Sequence, residues 1–168
     1  MVKEKGVDKE DLIHKANLHI PINSTFVFIS VTVLTFIISV RNDLLQENWI
    51  LALQISLCIP FFIYSNIARS RIILTPSKKV DGFGSWTYTI AFLFFLNSCG
   101  ILLSILAFQY LGIIFISVSI LLMMIYEFLS VPLHSEKIFF FEIKRWIILL
   151  IGFVFLGLFP ILNINILA

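Results

Sequence analysis

All but one of the twelve lysines and arginines in this chain stand before its first long apolar block or in alternate gaps between later blocks, and the intervening gaps hold Arg41 alone. That pattern constrains the fold before any element is assigned. Long apolar runs leave water, and gaps rich in Lys and Arg stay on the cytoplasmic side of a bilayer. Composition agrees: mean hydropathy is +1.03, with 60% hydrophobic and 13% charged residues. Soluble domains carry about 45 to 50% apolar and about 25% charged residues. The class is an all-α integral membrane protein.

A helix crossing roughly 30 Å of hydrocarbon needs about 20 residues, and the blocks match that length. The first runs over 22–40 and ends in the polar stretch 41–48. The second covers 49–68, with Pro60 near its middle, and is followed by a gap holding Arg69, Arg71, Lys78 and Lys79 against Asp81. Residues 86–131 carry Glu127 as their only charge and are too long for one span, so the run is expected to fold back at Gln109–Gly112. Gly112 suits a turn because glycine tolerates backbone conformations that other residues resist. This gives spans at 87–108 and 113–131 in a tight hairpin. A fifth span occupies 146–162. The expected architecture is a single membrane domain, a bundle of five transmembrane helices with the N-terminus cytoplasmic and the C-terminus external. The leader mixes acids with bases and has no small-residue cleavage site after the first block, so that block is expected to remain as a helix.

Two flanking pieces have amphipathic character. In the cytoplasmic segment 1–21, Leu12, Ile13, Ala16 and Ile20 recur at helical spacing among charged residues, as in a short helix lying on the membrane surface. Residues 137–146 mix aromatics with Glu142, Lys144 and Arg145 and read as an interfacial anchor.

Ionisable and polar groups inside spans are the default functional candidates. They are Glu127, about one turn from the cytoplasmic end of the fourth span, with Asn97, Ser98 and Gln54, which could line a path between the second and third spans. The competing reading of Glu127 is an interfacial anchor. Gly100, Ser104 and Ala107 follow one another at spacings of four and three, a stripe that lets helices approach closely. Cys58 and Cys99 come out at similar depth, where each can serve as an ordinary small apolar residue. Gly82 and Gly84 lack the rest of a phosphate-binding loop and read as a flexible entry to the third span. His14, His19 and His134 all fall on the cytoplasmic side without metal-ligand spacing, so neither a metal nor any cofactor is implied. No nucleophile motif or paired intramembrane carboxylate is present, and no basic stripe suits nucleic acid.

The sequence therefore points to a multi-pass protein of the cell membrane whose partners are the lipid bilayer and a membrane protein or a second copy of itself. The leading expectation is a non-enzymatic accessory, assembly or scaffold subunit. An oligomeric channel or small-solute transporter is the alternative. A membrane enzyme using Glu127, His134 and Glu136 at the cytoplasmic interface comes third.

Overall fold

The structure, a computed structural model, describes residues 9–130 and 147–163, with the side chains of 126–130 excepted. Among the described residues six helices follow one another: α1 (Lys9–Val40), the short α2 (Asn42–Glu47), α3 (Trp49–Leu74), α4 (Lys78–Leu106), α5 (Gln109–Ser130) and α6 (Ile147–Asn163). A π-helical stretch at Val154–Leu158 widens α6. No strand occurs among the described residues. Helices α1, α3 and α4 are each long and apolar enough to cross a membrane, and the shorter Gln109–Ile125 and Ile147–Asn163 are also apolar. The chain divides into two compact units, Met1–Phe92 and Leu93–Ala168.

In the first unit the helices outrun the apolar blocks that seed them. The 32 residues of α1 rise about 48 Å, well beyond the hydrocarbon thickness. The helix passes through Pro21, whose ring removes one backbone donor, and the next turn ties itself back with Ser24 donating to the Ile20 carbonyl and Thr25 to the Pro21 carbonyl, both at 2.9 Å. The segment expected to lie separately on the membrane surface is therefore the start of α1. Its apolar face is covered by the chain itself, with Leu12 and Ala16 packed on Ile72 of α3 and Val80 of α4.

The seam between α1 and α3 is antiparallel. Asn23 stands opposite Ser65, Phe26 opposite Phe62 with stacked rings, and Ser30 opposite Cys58. The buried positions of α3 include Leu51, Ile55, Cys58, Phe62, Ser65, Arg69 and Ile72, alternating by four and three as in a coiled-coil stripe. That stripe does not stop where the charges begin, so Arg69 lies within α3 and Asp81 within α4. The gap read from sequence as 69–86 shrinks to Thr75–Ser77. Gly82 and Gly84, expected in a flexible loop, are helical: a Cβ on Gly84 would stand 3.2 Å from the Ala68 Cβ, so its bareness lets α4 close onto α3. At the opposite end of the unit, Arg41 forms an ion pair with Asp43 at 2.9 Å and holds that carboxyl below its usual range through the hydrogen bond.

In the second unit, α4 ends at Leu106 and the chain reverses at Ala107 and Phe108, two residues before the expected turn. Gly112 is thus in the first turn of α5, and among the described residues no glycine has a positive φ. Its function is close approach, since a Cβ there would collide with the Ser104 hydroxyl and the Gly100 carbonyl. Ile116 of α5 fills the other half of the contact. It is fully buried, and Cβ atoms on Gly100 and Gly157 would meet its side chain at 2.6 and 2.9 Å. A Cβ on Gly152 of α6 would stand 2.6 Å from Leu93. Large side chains of one helix set into glycine notches of the next produce the dispersion contact that drives association where lipid is as apolar as protein.

Candidate functional site

The polar groups with the most built surroundings lie at one end of the first unit. Arg69 is 1% exposed. Its Nη1 donates to the Asp81 carboxylate and its Nη2 to Ser85 Oγ at 2.9 Å. Asp81 also faces Lys15 Nζ of α1 at 3.4 Å, so one carboxylate links three helices. One turn along α3, Ser65 receives Asn23 Nδ2 at 2.9 Å and donates to the Gly84 carbonyl at 2.8 Å. His19 meets the Tyr88 ring edge-on at 5.9 Å, and Tyr88 continues into an aromatic group with Phe62, Phe92 and Phe26.

Local sequence explains the placement. Ser65, Arg69 and Ile72 recur at four and three residues and so share one helix face. Asp81 occupies the first turn of α4, where the helix dipole favours a carboxylate. Two cations share one acid, and among the described residues Arg69 Nε and Asn23 Oδ1 have no hydrogen-bond partner. Such an arrangement holds charge in place and clamps helices together. The sequence pattern places Arg69 and Asp81 in the basic gap between the second and third spans, whereas both lie within helices. The signal that would have found them is the heptad stripe of α3 continued past Ser65.

A second polar feature lies on the outside of the same unit. An open groove of about 360 Å³ between α1 and α3 is lined by Ser24, Val27, Ile63, Asn66, Ile67 and Ser70. Asn66 Nδ2 donates to Ser24 Oγ at 2.9 Å, and Asn66 Oδ1 has no partner among the described residues.

The candidates named from sequence fall in both units. Gln54 is buried on α3 in the first unit, whereas Asn97 and Ser98 are buried in the second. Asn97 Nδ2 donates to the Gly152 carbonyl at 3.3 Å, and its Oδ1 packs against Gly157 inside the π-helical stretch. Ser98 is bonded within its own helix, to the Phe94 carbonyl at 2.8 Å. Gly100 and Ser104 stand at the α4–α5 contact, with Ser104 donating to the Gly100 carbonyl at 3.1 Å. Ala107 departs from that stripe, since it is exposed in the turn beyond the end of α4. Neither Cys58 nor Cys99 is in a disulfide, and Cys58 Sγ lies 3.4 Å from Ser30 Oγ. Glu127 lies in α5, but its side chain falls outside the described residues, as do His134, Glu136 and the anchor at 137–146. No family model, curated protein sequence or solved structure matches this chain.

Proposed function

We propose that the protein is a multi-pass cell-membrane protein of five spans, N-terminus inside, acting as a non-enzymatic accessory or assembly subunit that receives a helix of a membrane partner or of its own copy. The observation that carries this reading is the groove between α1 and α3. Ser24 and Ser70 are exposed and, with Asn66, line it among Val27, Ile63 and Ile67. Small and hydroxyl side chains on an outward face of a membrane helix suit a contact with another helix, where they allow close approach and hydrogen bonds that lipid tails cannot supply. A photo-crosslinking residue at Ile67, which is 56% exposed, should give one discrete protein adduct in native membranes, lost in Asn66→Leu. A signal from lipid alone would count against the reading.

A second reading, a proton or cation path in an oligomer, draws on the buried Arg69 and its partly buried partner Asp81, because ionisable groups within membrane helices mark such paths. In proteoliposomes it requires a pH-driven flux that Asp81→Asn abolishes. Equal flux in both proteins would exclude Asp81 from any path.

A further inference from the structure

Asp81 is the only carboxylate in residues 49–126, and the structure turns it away from the cations nearest to it in sequence. Its oxygens are engaged by the buried Arg69 and by Lys15. Arg71, Lys78 and Lys79, which flank the Thr75–Ser77 turn, are exposed, and among the described residues the three ion pairs, Lys15–Asp81, Arg41–Asp43 and Arg69–Asp81, involve none of them. Leu74, at the tip of the same turn, is 83% exposed. Three exposed cations around one protruding apolar side chain fit a surface that is anionic outside and hydrocarbon beneath.

We infer that the α3–α4 turn is a binding surface for anionic phospholipid headgroups. Arg71, Lys78 and Lys79 take the phosphates, and Leu74 enters the acyl boundary. The inference rests on the membrane reading of α3 and α4. Its selectivity arises because the local acid is consumed internally: if Asp81 neutralised Lys78 instead of Arg69, the turn would carry less charge for lipid.

Trp86, about 12 Å along α4 from Lys78 by helical rise, reports on the adjoining lipid. A full-length Trp49→Phe, Trp146→Phe variant leaves it as the single tryptophan. This protein is reconstituted in phosphatidylcholine vesicles carrying an equal mole fraction of either brominated phosphatidylglycerol or brominated phosphatidylcholine, and quenching is compared. The expected preference for the anionic lipid is about fivefold or more, since each surface cation contributes roughly that factor. It should fall toward unity in Arg71→Gln/Lys78→Gln/Lys79→Gln. It should also fall when salt is raised on the protein with its basic turn intact, a measurement independent of how the variant folds. Equal quenching by both lipids, or a preference unmoved by salt and by the triple substitution, overturns the inference while leaving the membrane reading standing. Quenching by neither lipid overturns both.

Discussion

Asp81, in the first turn of α4, faces Arg69, the least exposed charge among the described residues, and the same carboxylate reaches Lys15 of α1 at 3.4 Å. The pair brings two segments rich in Lys and Arg, the N-terminal leader and the α3–α4 gap, to one end of the first unit. Arg41 and its partner Asp43 occupy the connection at the other end. The alternating charges thus have a physical counterpart within this unit.

Removing Asp81 alone should cost far more than removing both members of its pair with the buried Arg69. Asp81→Ala leaves the Arg69 guanidinium buried without its counter-ion, a loss of about 3 kcal/mol. Arg69→Leu combined with Asp81→Ala should recover a large part of it. Unfolding of the purified protein in mixed micelles checks this as a double-mutant cycle, and additive losses would mean that the two side chains do not interact.

The fold was largely legible in the sequence where hydrophobicity decides it, and less so where packing does. The apolar blocks 22–40 and 49–68 each lie within one long helix, α1 and α3. The helix ends are less legible, because Arg69, Asp81, Gly82 and Gly84 are by type charges and breakers that belong in loops, yet all four are helical. Arg69 is held by Asp81 and Ser85, and Gly84 gains from contact with Ala68, so tertiary partners offset what each residue loses by leaving water or by stiffening. Gly112 is a special position, but not as the turn residue that the sequence suggests. Closeness to Ser104 and Gly100, not backbone freedom, accounts for glycine there. The Arg69–Asp81 pair could have been anticipated from the stripe of α3, but the choice of Asp81 over the lysines' needs depends on the register of α4, which no local pattern encodes.

Filling the glycine notches of the second unit should destabilise it. Gly112→Ala and Gly157→Ala each place a methyl where Ser104 or Asn97 already stands, at a cost of about 1 to 3 kcal/mol. Gly100→Leu, driven against Ile116, should cost more than Leu102→Ala. Thermal unfolding in detergent orders these variants, and equal tolerance of Gly100→Leu and Leu102→Ala would mean that the α4–α5 contact is looser than described.

Asn97 is expected to act as a bridge between α4 and α6. Asn97→Leu removes the hydrogen bond to the Gly152 carbonyl, and such interhelical bonds in membranes are worth roughly 0.6 to 1.7 kcal/mol. Asn97→Asp should be worse at neutral pH, because a carboxylate would then face the Gly152 carbonyl in a fully buried site. It should improve as pH falls and the carboxyl becomes neutral. A pH-independent stability for Asn97→Asp would place this side chain in contact with water.

The most direct measurement is the sidedness of two positions in intact cells. With Cys58 and Cys99 replaced by alanine, Asp43→Cys should be labelled by a membrane-impermeant maleimide, and Lys78→Cys should be labelled only after the membrane is permeabilised. Labelling of Lys78→Cys in intact cells, with Asp43→Cys protected, would contradict the account.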